Sequence, residues 1–307
     1  MTPIPGRRLP YLAAMALLCA TRAHAANIEL FPGQSFEAAV ESLNPGDTLI
    51  VHAGTYSDSG RISIGVRGTS AAPVVIKGAD GEALPLVTRV ASAPIQNTIN
   101  IEGATHLRIT RLEISGNGGD GINLSGAPSF ITLDNLKIHA IDVGVNFRSS
   151  MSDITVRHNH IHHTGQNGGT GEGMYVGCND ATCVVSRALI ENNWIHDTQN
   201  STQGDGRGGK RGAHSHSGRA HVIYNNIILD GPGNGFNSQP HQGATPSNLQ
   251  FVHNTVVGGS PCLRLSSWSG RPGLVFANNA IYCDADDFAI GGLTGVTVAG
   301  NVVTPAT

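Results

Sequence analysis

Charge is scarce in this chain: Asp, Glu, Lys and Arg make up 13% of its 307 residues, and the formal net charge is −3. With no cationic surplus there is no case for a nucleic-acid partner. So little charge also leaves little helix surface to solvate. Beyond the N-terminus no stretch is apolar enough to cross a membrane. No Cys-x-x-Cys pair occurs among the five cysteines, which argues against a thiolate metal centre. The Leu-x-x-Leu-x-Leu frame and the helix formers of a leucine-rich repeat are missing as well. Glycine, in contrast, is abundant at 40 residues, which suits tightly turned β coils.

What the chain does have is a repeat. Seven segments carry a hydrophobic–Asn–hydrophobic phrase, centred on Asn135, Asn159, Asn193, Asn226, Asn254, Asn279 and Asn301. The intervals are 24, 34, 33, 28, 25 and 22 residues, a period in the low twenties stretched twice by an insertion. Such a period marks a solenoid, whose coils are too small to bury an apolar face alone and must stack. Asn tolerates left-handed backbone, bonds to nearby main chain, and can form a ladder with its copies above and below. The seven asparagines are therefore expected to share one column. Between them the apolar residues alternate, as in Ile122/Leu124, Val145/Phe147 and Ile154/Val156, which reads as strand. The expected fold is all-β: a single-stranded right-handed parallel β-helix with a short N-terminal capping helix. That helix is placed at Ser35 to Leu43, with Ser35 as N-cap.

These features together resemble the right-handed parallel β-helix superfamily, the pectate-lyase-like fold. The N-terminal helix followed by PGDTLIV and GTY, and then GTSAAPVVIKGADGE, resembles the cap and first coils of exported polysaccharide-lyase-related proteins. Residues 1–25 read as a signal peptide: Arg7 and Arg8, an apolar stretch from Leu9 to Ala20, and Ala23-His24-Ala25 as cleavage site. Residues 26–97 then form the cap and first coils, and residues 98–307 the rungs, ending after Asn301-Val-Val-Thr with no obvious C-terminal cap. Export implies an oxidising compartment, so disulfides are expected for Cys178 with Cys183 and for Cys262 with Cys283. The protein is expected to be a periplasmic or extracellular monomer.

Outward positions on the rungs before each Asn turn form a polar face. It reads Asn123/Ser125, Asn146/Arg148, Tyr175/Gly177, Gly208/Lys210, Asn237/Gln239 and Arg264/Ser266, with no acidic group. Two insertions, residues 165–183 and 201–219, fall on the same side, and insertions clustered on one side of a repeat array mark the binding side. GEGMYVG and QGDG, one rung apart, resemble a subfamily in which the second phrase continues into a strand ending Glu-hydrophobic-Lys. Here the text departs from it: Arg207-Gly208-Gly209-Lys210 makes a poor strand. A one-base shift of a codon run for Arg-Gly-Gly-Lys gives Val-Glu-Val-Lys, so a local frameshift across residues 206–220 is a hypothesis that the gene sequence would settle.

The resemblance implies β-elimination on a uronic-acid polymer, hence an acidic polysaccharide as partner. The chemistry needs a base, a neutraliser for the carboxylate and an acid for the leaving oxygen. Lys210 and Arg264 are the candidates for base and neutraliser and Tyr175 for the acid, with Arg148, Asn146, Asn237 and Gln239 binding substrate. Glu172 and Asp205, one rung apart, could share a Ca²⁺. The same two carboxylates suit a retaining glycosidase, and a non-catalytic carbohydrate-binding solenoid is a third reading. Of the fourteen histidines, His158, His160, His162 and His163 crowd one turn; exposed turn residues explain them better than a zinc site.

Overall fold

A computed structural model describes residues 25–167, 171–178, 182–198, 213–215, 218–219, 222–229, 235–238, 247–258, 263–265, 268–284, 288–289 and 293–306. The chain winds through three parallel sheets, most coils giving a strand to each. The first sheet runs from Asn27–Leu30 through Thr48–Val51, Val74–Gly78 and Thr105–Thr110 to Thr297–Ala299. Among the described residues the second contains ten strands, from Thr55–Asp58 to Val302–Ala306, and the third nine, from Ser63–Ile64 to Phe288–Ala289.

Alternation places every second residue of these strands inside. On the third sheet Ile122, Leu124, Val145, Phe147, Met174, Val176, Phe236, Ser238, Leu263 and Leu265 are all buried, and they stack in register: Ile122 on Val145, Val145 on Met174. One continuous core results, running along the axis rather than around a centre. The N-terminal opening is closed by the helix Phe36–Glu41. Ser35 caps it, its hydroxyl accepting the Ala38 N–H at 3.0 Å, and Phe36 and Val40 turn into the core. Helix and cap residue both match the reading of the sequence.

The asparagine column needs one correction. Six residues form the ladder: the side-chain amides of Asn159, Asn193, Asn226, Asn254 and Asn279 each donate to the Oδ1 of the next, at 2.9, 2.9, 2.9, 3.3 and 2.8 Å, ending on Asn301. Asn135 is not among them. Strand pairing sets Lys137 beside His160, so Leu136 is the residue level with Asn159, and its N–H donates to Asn159 Oδ1 at 2.9 Å. Asn135 sits one place earlier at φ 52°, in a second column of left-handed residues with His158, Asn192, Asn225, His253 and Asn278. The two roles of Asn, left-handed turn and ladder rung, are thus divided between adjacent positions. Doublets such as Asn192-Asn193 and Asn225-Asn226 fill both.

Candidate functional site

The residues between or after the inward-facing positions of the third sheet are set level with one another from coil to coil. Register makes these residues one column: Asn100, Asn123, Asn146, Tyr175, His214, Asn237 and Arg264. Most of its described members are withdrawn from solvent. Asn100, Asn146, Tyr175 and Asn237 are 2%, 6%, 4% and 2% exposed. The cause is local. Residues just before the strands reach back over them: Asn97 donates to Asn100 Oδ1 at 2.9 Å, and Asp120 Oδ2 accepts from Asn123 at 3.3 Å and from Asn146, one coil on, at 2.8 Å. Tyr175 is accordingly a buried phenol rather than an open groove residue, whereas Arg148 is exposed at the strand's edge.

The neighbourhood has two electrostatic features. Burial pushes the Asp120 carboxyl above the usual range, and the negative charge of Asp142 adds to this, against the two amides that donate to it. Asn146 Oδ1, also buried, has no hydrogen-bond partner among the described residues. An acceptor left in this state costs about 1–3 kcal/mol unless something binds there. Asp120 was not among the residues singled out from the sequence. The signal was available: Asp120 precedes Gly121 at a strand start just as Glu172 precedes Gly173.

The rung after Tyr175 also differs from expectation. Ala213–Ser215, not residues 208–210, pairs with Met174–Val176, so His214 lies beside Tyr175. This register sets Ala213 and Ser215 level with Met174 and Val176. Lys210, Asp205, Gln239 and Cys262 lie outside the described residues. Glu172 is buried directly ahead of the Met174–Val176 strand, and its carbonyl accepts the Gly144 N–H at 3.0 Å. Among the described residues no three His, Cys, Asp or Glu side chains are grouped to hold a metal. Cys178 and Cys183 are joined in a disulfide with Cα atoms 5.5 Å apart. Cys283 lies on the strand Ala280–Asp284 of the second sheet. No helix among the described residues is long and apolar enough to cross a membrane.

Comparison with solved structures agrees with this architecture. An alginate lyase from Paenibacillus sp. str. FPU-7 superposes with TM-score 0.65 at 20% identity, over 91% of this chain and 96% of that one. The catalytic unit of a thermostable GH87 α-1,3-glucanase from Streptomyces thermodiastaticus strain HF3-3 gives 0.60 at 17%, over 87% and 55%. Pectate lyase Pel9A gives 0.54 at 16%, over 91% and 77%. Identities this low speak for the fold alone. No curated protein matches the sequence. The model of the family described as "Right handed beta helix region" matches residues 89–303. With that match spanning most of the chain, and with three parallel sheets wound in register, the protein belongs to the right-handed β-helix family.

Proposed function

We propose that this protein is an exported polysaccharide lyase that binds an acidic, uronic-acid polymer along the third sheet and cleaves it by β-elimination. The observation that carries the reading is the buried polar column with its orphaned acceptor. Burying a polar group on the outward side of a sheet costs stability where a hydrogen bond is missing, as at Asn146 Oδ1. Asn146 Oδ1 is set to accept a sugar hydroxyl. Alginate lyase and pectate lyase, among the structural neighbours, are named for acidic polymers.

In this reading Lys210 takes the proton α to the uronate carboxylate. The electrons form the C=C bond, and the glycosidic oxygen leaves with a proton from the Tyr175 phenol, a role that requires this buried group to be uncovered when the polymer binds. Arg264 and Arg148 neutralise the carboxylate, and Asn146, Asn237 and Gln239 hold hydroxyls. Glu172 and Asp205 offer hard carboxylate oxygens that suit Ca²⁺, which when bound would share the neutralising role. Disulfide and signal-like N-terminus together support export.

The test is an absorbance assay for unsaturated uronate with alginate and pectate as substrates. Lys210→Ala should abolish turnover with thermal stability nearly unchanged, the outcome expected of a residue whose role is chemical rather than structural. Undiminished elimination by that variant removes Lys210 as the base. One observation favours a second reading, glycoside hydrolysis: Asp120, with its raised pKa, has the character of a general acid. Reducing ends without the absorbance would establish that reading, and binding without any product would establish a non-catalytic module.

A further inference from the structure

On the outward face of the second sheet, four histidines and a tryptophan from three successive coils form a single cluster. Strand pairing sets His160 beside Trp194, and His139, His162 and His196 in one row. The rings stack: His139 on His162 at 5.1 Å, His162 on His196 at 5.2 Å and His160 on Trp194 at 4.2 Å, each within 5° of parallel. His160 Nε2 and His196 Nε2 face each other at 2.7 Å. His162 Nε2 is buried and has no partner among the described residues. None of these groups takes part in the site on the third sheet.

We propose that His160, His162 and His196 form a surface site for a divalent transition-metal ion of borderline softness, zinc or copper. Three observations support it. First, the carboxylate of Asp197 accepts from His196 Nδ1 at 2.8 Å, which fixes that proton on Nδ1 and leaves the lone pair on Nε2. This carboxylate–histidine arrangement is how protein metal ligands are oriented. Second, that lone pair points at His160 Nε2, so the structure already holds two imidazole nitrogens at one spot. The pair stays together without metal only because His160 Nε2–H donates to His196 Nε2. An ion takes both lone pairs while the His160 proton moves to Nδ1. Tetrahedral ligands with zinc–nitrogen bonds of about 2.0–2.1 Å sit roughly 3.3 Å apart, so the nitrogens need to separate by about half an ångström. Third, His162 carries the orphaned nitrogen. In the tautomer whose Nδ1–H donates to His163 Nδ1 at 2.6 Å, the Nε2 lone pair is the one left to bind.

The site is a preset pair with a third arm, since no three ligand groups among the described residues yet surround one point. His162 joins by rotation of its ring, and water completes the shell. Imidazole suits zinc and copper, whereas Ca²⁺ and Mg²⁺ prefer oxygen.

Trp194 provides the readout. It is 45% exposed and stacked on a proposed ligand, while Trp268, the second of two tryptophans in the chain, is fully buried in the core. The test is titration of the untagged full chain with Cu²⁺ by fluorescence and with Zn²⁺ by calorimetry. Binding of one ion at this site should quench the Trp194 component and leave that of Trp268, and Trp194→Phe should remove the quenched component. His160→Gln with His196→Gln should weaken binding at least tenfold and abolish quenching, and Asp197→Asn should weaken it about tenfold through loss of orientation. His158→Gln with His253→Gln, both in the exposed asparagine turn, should change neither readout. Far-UV circular dichroism establishes that each variant folds, and either single substitution, His160→Gln or His196→Gln, serves if the double variant does not. Absence of quenching in the wild-type chain overturns the proposal, as do unchanged affinity and quenching in the folded His160→Gln and His196→Gln variants.

Discussion

At the scale of single residues, the informative groups are polar side chains that the fold buries. Asp120 is held with its carboxyl above the usual range by burial first and by Asp142 second. For an acid whose folded pKa is raised, the native state binds more protons than the unfolded chain between the unfolded and the folded pKa. Stability therefore falls as pH rises through that window and stays lower at neutral pH. Asp120→Asn removes the titration and keeps a carbonyl acceptor for Asn146. It should raise Tm by a few degrees at neutral pH, and the gain should vanish in acid below both pKa values, as thermal melts across pH will show. Arg264, level with Asn237 in the polar column, has the opposite relation to solvent salt. Arg264→Ala should weaken binding of an anionic polymer most at low ionic strength, because screening already blunts its contribution at high salt. A loss of equal size at low and high salt would assign Arg264 a packing role. Tyr175 and Asn146 were legible as members of the column from period-two alternation. Their burial was not, because it depends on contacts between coils, such as that of Asn146 with Asp120 of the preceding coil.

At the scale of elements, the ladder and the left-handed column make distinct predictions for asparagines that look alike in sequence. Asn226 is buried, and its Oδ1 accepts both the main-chain N–H and the side-chain amide of Asn193, at 3.0 and 2.9 Å. Asn226→Ala orphans two buried donors, each costing about 1–3 kcal/mol. Asn135 is exposed and donates to Asp134, so Asn135→Ala should cost only the left-handed strain, about 1–2 kcal/mol. Denaturant unfolding of both variants checks the ranking, and equal costs would contradict the division of roles. The sequence hinted at this in its spacing. Asn135 and Asn159 are 24 apart, while the strands around them repeat at 23, as the pairing of Lys137 with His160 shows. A one-residue discrepancy is invisible until backbone pairing fixes the register.

At the scale of the molecule, stability accumulates along an axis, and each coil depends on its neighbours. The Cys178–Cys183 disulfide closes a short loop inside the first insertion. By loop-closure entropy, Cys178→Ser with Cys183→Ser should destabilise by about 2 kcal/mol. In non-reduced protein neither thiol should react with an alkylating reagent, and labelling of Cys178 or Cys183 would contradict the bond. The sequence by itself determined the solenoid. A recurrent Asn phrase, period-two apolar residues and a helix with Ser35 as its cap are local signals, and repetition multiplies each of them. Tertiary structure alone decided the rest. It set Ala213–Ser215 rather than residues 208–210 beside Met174–Val176, put Leu136 rather than Asn135 level with Asn159, buried the polar column, and gathered His139, His160, His162 and His196 from three coils. The physical reason is that a parallel sheet pairs residues one full coil apart. Insertions of unequal length change that separation at every turn, so register is settled by core packing and backbone hydrogen bonds between coils rather than by anything written within one of them.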